Sequence, residues 1–111
     1  MLKVKNDLWI ELVGEEFVIG LTPQMQDDAG EISFAFLASL GAIEEDETLA
    51  ELEASKMVME IPCPLSGRIV AVNEAANDRP HILNSTLRSE NWLAKLVDVD
   101  PADFEALPDF E

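Results

Sequence analysis

Positive charge is scarce in this chain. Seven lysines and arginines stand against 23 acids in 111 residues, for a formal net charge of −16. Nucleic-acid backbones and anionic lipid surfaces are repelled by such a surface, so neither is expected as a partner. Proteins with basic docking faces are attracted to it. Cysteine occurs once, at Cys63, which excludes an internal disulfide framework and a Cys-rich zinc site. The one histidine, His81, follows Pro80 in an irregular stretch and has no second His or Cys with which to build a metal centre. No apolar run approaches the ~18 residues of a membrane span. The opening "MLKVKNDLWIEL" has neither the apolar core of a secretory signal nor the Arg- and Ser-rich character of a transit peptide, and the cytoplasm is the expected compartment.

What is present suffices for one compact unit. Apolar residues make up 48% of the chain, enough for a core, and the length suits a single domain spanning 1–111. Alternation and turn signals predict strands at Val4–Leu12, 15–21, 31–40, 48–54, 57–63, 68–73 and 92–99. "TPQMQDDAG" (22–30) reads as a single helical turn, with Thr22 before Pro23 and Gly30 as its stop. "GAIEEDE" (41–47) reads as an acidic loop, and 74–91 as mostly irregular. The tail is a helix over about 101–107: Asp100 caps it, Pro101 takes its first position, and Val99 and Phe104 have the spacing of a hydrophobic staple. About seven short strands with little helix predict an all-β sandwich or flattened barrel. A weak echo between "GEISFAF" (30–36) and "GRIVAVN" (67–73) would suit two similar halves.

One basic residue is oddly placed. Between Lys5 and Arg68 the only positive charge is Lys56, inside "ELEASKMVMEI" (51–61). Folded between Ser55 and Lys56, this stretch makes a hairpin in which Glu53 faces Val58, Leu52 faces Met59, Glu51 faces Glu60 and Ala50 faces Ile61. Ala50, Leu52, Met59 and Ile61 then share one face, which fixes the register. Lys56 falls at a protruding tip. With no Gly or Asn there, a type I turn is expected rather than a mirror turn. Most turn lysines are merely solvated. This one is a single amine on a regular post among acids, which makes it easy for an enzyme to single out.

Here the residues resemble a known family. "GEEFVIGLTPQMQDDAGEISF", "LEASK", "PLSGRIVAVNEAANDRPHILNS" and "NWLAKL" resemble successive passages of the glycine cleavage H proteins, from about Trp9 to Lys95. The resemblance implies a lipoyl/biotinyl-type flattened β sandwich (a barrel-sandwich hybrid) with a short helical turn near 23–29 and a C-terminal helix. It implies a non-catalytic, monomeric carrier with lipoate on Lys56, flanked by Glu53, Ser55 and Met57 of the attachment motif. The implied partners are a lipoate ligase or lipoyl transferase, glycine decarboxylase, aminomethyltransferase and dihydrolipoyl dehydrogenase, between which aminomethyl groups are carried. The chain departs from the family pattern at Asp7-Leu8-Trp9, where His-Glu-Trp is usual, and at "TLRSEN" (86–91), where Asp-Pro-Tyr-Gly is usual. Those departures resemble the shorter H-like proteins, some of which serve lipoate relay or redox signalling with an ADP-ribosyl transferase.

Other readings compete. "EASKM" also resembles the biotinyl Ala-Met-Lys-Met, although Ser55 replaces Met. An unmodified acidic interaction module would need no role for Lys56. Ser66, His81 and Asp78 could be named as a hydrolase triad, with no spacing to support it. Asp27-Asp28 and "EEDE" (44–47) could hold calcium weakly but lack the Gly-punctuated ligand spacing of a calcium loop, and a solvated acidic rim is expected. Cys63 has the inward parity of Met59 and Ile61, a small buried hydrophobe. Met57 and Met59 are read as packing.

Overall fold

The computed structural model describes residues 1–110; the last residue of the expected domain lies outside them. Two antiparallel sheets carry the fold. The larger runs in the order β1 (Leu2–Lys5), β2 (Leu8–Val13), β3 (Glu16–Leu21), β9 (Trp92–Val97), β8 (Gly67–Val72), β5 (Gly41–Ile43). The smaller runs β4 (Ile32–Leu37), β6 (Thr48–Ala54), β7 (Val58–Pro62). Short helices fill the connections: α1 (Pro23–Ala29), α2 (Ala75–Asp78), a 3₁₀ turn at Pro80–Asn84, α3 (Arg88–Asn91) and α4 (Pro101–Glu105). Leu8, Ile10, Ile19, Leu93 and Leu96 of the larger sheet and Ile32, Leu52 and Ile61 of the smaller belong to one buried cluster. The all-β sandwich expected from the sequence is the observed architecture.

Several boundaries differ, each for a local reason. The strand expected over Val4–Leu12 is a hairpin, because Asn6 and Asp7 turn the chain at φ 54° and 62°. Both residue types tolerate the left-handed region, so they make a mirror turn without glycine. The acidic loop begins with a strand, since Gly41–Ile43 pairs with β8. The 74–91 segment is largely helical in short pieces. At 22–30 the helix spans seven residues rather than one turn, and the C-terminal helix is shorter than 101–107. The two echo stretches fall on β4 and β8, in sheets of unequal size.

The ends of the chain are tied down. Asp100 accepts from the Ala102 N–H at 2.9 Å, and the Phe104 ring meets Phe17 edge-on, with centroids 5.1 Å apart. Beyond α4 the tail lies along β1: Val4 donates to the Pro108 carbonyl and Phe110 to that of Leu2. Lys3 Nζ bonds Asp109 at 2.7 Å, which holds that carboxyl below its ordinary range. An edge strand that would template another chain is thereby covered.

Trp9 sits outside the main cluster, having the opposite strand parity to Leu8 and Ile10. Its indole lies on Gly20, where an added Cβ would stand 2.3 Å from the ring, and its Nε1–H donates to Asn91 Oδ1 at 2.9 Å. Because that bond prevents the ring from yielding, Gly20→Ala is expected to destabilise the fold by about 1–3 kcal/mol, the usual range for overpacking. A denaturant midpoint unchanged from wild type would show that the indole is free to move.

Candidate functional site

The β6–β7 hairpin has the register its alternation specifies: Glu53 pairs with Val58, Leu52 with Met59, Glu51 with Glu60 and Ala50 with Ile61. Ala50, Leu52, Met59 and Ile61 are buried. Neither Ser55 nor Lys56 has positive φ, so the turn is not of the mirror type. Lys56 is exposed at this turn.

The turn does not protrude freely, which corrects the sequence expectation. Ser55 N–H donates to the Glu31 carbonyl at 2.8 Å, and Glu31 N–H donates back to Ser55 Oγ at 3.0 Å. Lys56 N–H donates to the Ala29 carbonyl at 2.9 Å, and its Nζ donates to the Asp27 carbonyl at 2.9 Å. Those carbonyls belong to the last turn of α1, where a helix leaves acceptors unsatisfied and carries partial negative charge. Lys56 therefore closes the C-terminal end of α1 twice, once through its backbone and once through its amine.

Gly30 makes the approach possible. It has φ +80°, and a Cβ there would stand 2.3 Å from Ser55 Oγ and 3.1 Å from Lys56 Cγ. Asn84 holds Gly30 from the other side, donating to its carbonyl at 2.9 Å while accepting from Ile32 N–H at 2.8 Å. Gln26 donates to the Leu83 and Ser85 carbonyls, Asn91 to that of Ser85, and Asn73 to those of Glu90 and Trp92. Side-chain amides thus satisfy the irregular backbone of 73–91 and fasten it behind the lysine. Sequence reasoning missed these supports. Their signal was present as asparagines inside a stretch with no regular partner.

The remaining lysines are engaged. Lys3 pairs with Asp109, Lys5 with Glu45 at 2.6 Å, and Lys95 lies over the Trp92 ring, 5.0 Å from its centroid. Among the described residues, Lys56 alone of the lysines has neither an ion pair nor an aromatic partner. Of its motif neighbours, Glu53 and Ser55 are exposed. Met57 is 44% exposed, which corrects its reading as packing, whereas Met59 is buried.

The other candidates take structural roles. Ser66 Oγ accepts from the Glu45 N–H, and no hydrogen bond joins it to His81 or Asp78 among the described residues. Glu47 accepts from the Glu44 N–H, and Glu45 pairs with Lys5, so two of the "EEDE" acids brace their own loop. Among the described residues no group of three or more His, Cys, Asp and Glu is placed to hold a metal ion. Cys63 is buried and its thiol donates to the Leu65 carbonyl at 3.2 Å; burial pushes its pKa up from 9.0. The unfolded thiol ionises first, so this group's share of stability is complete below the ordinary thiol value of 9.0 and is lost as pH rises from there towards the folded value.

Two packed sheets and one exposed lysine on a braced turn are what the described residues bring together here. The comparisons give the chain a family. The glycine cleavage H-protein family model matches residues 1–111. A glycine cleavage system H-like protein of Staphylococcus aureus is 43% identical over 109 residues, covering 98% of this chain and 99% of that protein. A glycine cleavage system H protein of Bacillus cereus is 38% identical over 100 residues, covering 89% of this chain and 79% of that one. The crystal structure of a glycine cleavage system H protein from Mycobacterium marinum superposes with a TM-score of 0.77 at 26% identity, covering 86% of this chain and 82% of the other. The chain belongs to the glycine cleavage H-protein family, whose members are non-catalytic lipoyl carriers.

The brace is directly testable. Gly30→Ala places a methyl against Ser55 and Lys56 and forces a side chain into positive φ. Amide hydrogen exchange at Ser55 and Lys56 is expected to speed up at least tenfold, while core amides of β2 and β3 keep their protection. Unchanged exchange at the turn would mean that these bonds do not hold it.

Proposed function

We propose that the chain is a single carrier domain whose Lys56 bears lipoate in amide linkage, and that it moves aminomethyl groups among the enzymes of glycine cleavage. The observation that carries this reading is the turn of the β6–β7 hairpin, where the one lysine among the described residues with neither an ion pair nor an aromatic partner is exposed and fixed in direction, in a lipoyl-carrier family member.

The site suits such an arm. Gly30, lacking a Cβ, leaves a cradle for the Lys56 stem. To be loaded, the Lys56 amine must leave the Asp27 carbonyl, lose a proton and attack an activated carboxyl carbon. A C–N bond forms, the activating group departs, and the net charge of the chain falls by one. The resulting amide nitrogen keeps one N–H, for which the Asp27 carbonyl is the acceptor at hand. When bound, lipoate supplies a dithiolane that takes up, carries and releases an aminomethyl group and is reoxidised afterwards. The protein's own part is to hold the attachment point rigid, so that docking makes each delivery a local event at high effective concentration. The partners of this reading are a lipoate ligase or lipoyl transferase for loading. Glycine decarboxylase, aminomethyltransferase and dihydrolipoyl dehydrogenase then act in the cycle.

Intact mass and peptide mapping of protein from its own host test the loading. One lipoyl mass on Lys56 is expected, and Lys56→Arg should remove it with the fold intact. A biotin mass, or lipoyl on Lys3, Lys5 or Lys95, would overturn the assignment. The cargo is tested by reconstitution of the loaded chain with the three cycle enzymes, following carbon dioxide exchange into glycine. Exchange that depends on Lys56 is expected. Its absence from a fully loaded chain would overturn the aminomethyl cargo and leave lipoyl carriage standing.

A further inference from the structure

The outer face of the smaller sheet has an inverted pattern. On β4 the small Ala35 is buried, while Phe34 and Phe36 are 46% and 61% exposed. A bulge produces this arrangement. Ile32 pairs with Ala54 and Phe34 with Glu53, so two β4 residues oppose one step of β6. Regular pairing would have put Phe34 and Phe36 on the buried side with Ile32. The extra residue switches the parity and turns both rings to solvent. Asn84, accepting from Ile32 N–H, and Ser33, donating to the Glu53 carbonyl, hold the bulge.

Across the sheet the outward rows read Phe34, Glu53, Val58 and Phe36, Glu51, Glu60. Val58 is 76% exposed. Glu51 and Glu60 face each other directly, an arrangement that opposes pairing. Among the described residues none of Glu51, Glu53 and Glu60 makes an ion pair, and no lysine or arginine lies on these rows. The face is therefore aromatic along one edge and acidic through its middle. It runs into the turn: Glu53 stands three residues from Lys56, next to the last residue of β6.

We infer that this face is the docking surface for the enzyme that acylates Lys56, and that the enzyme covers it with a basic patch beside an apolar recess that receives Phe34 and Phe36. The inference rests on the proposed loading of Lys56. The acidic rows select a basic partner by charge complementarity. Position selects the loading enzyme over those that act later. A loading enzyme takes the lysine amine itself as substrate, so its body must close on the turn and cover the adjoining sheet. An enzyme working at the far end of a long arm has no such need.

The test measures initial rates of lipoyl addition by intact mass, with lipoate, ATP and a bacterial lipoate–protein ligase, over a range of carrier concentrations. Two variants are compared with wild type, Phe34→Ser/Phe36→Ser and Glu51→Gln/Glu60→Gln. The second relieves a repulsion and so preserves the fold even if the first does not. Each is expected to raise KM for the carrier about tenfold or more with kcat within about twofold. Glu51→Gln/Glu60→Gln should also flatten the salt dependence of kcat/KM. An unchanged KM and salt dependence in the folded glutamine variant overturns the docking face while leaving Lys56 as the attachment site. If the wild-type chain is not loaded at Lys56, the attachment reading fails and this inference falls with it.

Discussion

Ser55 and Lys56 give their backbone N–H groups to the carbonyls of Glu31 and Ala29, one on each side of Gly30. The presentation of the lysine depends on this pair of bonds. A two-stranded hairpin extending into water is marginal alone. Fastened to the junction of α1 and β4, its turn becomes part of the sandwich. The junction can accept those bonds only because Gly30 stops α1 at positive φ and carries no side chain in the space that Ser55 and Lys56 occupy. Asn84 then fixes Gly30 through its carbonyl, and the Asn and Gln contacts across 73–91 fix Asn84's own segment. A site that looks like one lysine on a turn is thus the end of a chain of polar contacts reaching back to Trp9.

Much of the hairpin was legible in the sequence because its information is local. Ala50, Leu52, Met59 and Ile61 admit one register, since a slip of one residue exposes all of them. The start of α1 was legible for the same reason: Thr22, observed accepting from Met25 N–H, and Pro23 are adjacent signals. The β1–β2 turn was not, because Asn6-Asp7 lacks the glycine that marks most mirror turns. The outward turn of Phe34 and Phe36 was illegible for a deeper reason. The alternation of "ISFAF" favours Ile32, Phe34 and Phe36 together on one buried face, and it is overruled by a bulge whose stabilising bond comes from Asn84, 52 positions away from Ile32. The tie between Lys56 and Asp27 was hidden likewise, since nothing in "EASKM" says which helix end lies beside it.

Two contrasting groups stand out within the acidity that dominates the composition. Glu45 and Glu47 serve their own neighbourhood, through an ion pair from Glu45 to Lys5 and a bond accepted by Glu47 from the Glu44 N–H. Asp109 fastens the tail to β1 through Lys3, and Asp98 meets Arg68. Glu51, Glu53 and Glu60 have no such occupation and share a sheet face with exposed apolar groups. Net charge alone does not separate these populations. The sheet register does, by showing which carboxylates repel one another without compensation.

A carrier must be recognised both before and after its lysine is acylated, so its shape should not depend on the charge it loses. The brace satisfies this requirement. Of the four hydrogen bonds holding the turn, two come from backbone N–H groups of Ser55 and Lys56, and one joins Glu31 N–H to Ser55 Oγ. Only the fourth involves the Lys56 amine, and it reaches an uncharged acceptor, the Asp27 carbonyl, rather than a carboxylate. Had Lys56 been paired with Asp27 or Asp28 through their side chains, acylation would leave an uncompensated charge and loosen the turn. Binding the amine to a carbonyl leaves a contact that an amide N–H can also make, so that the proposed loading would alter the arm and not the platform beneath it.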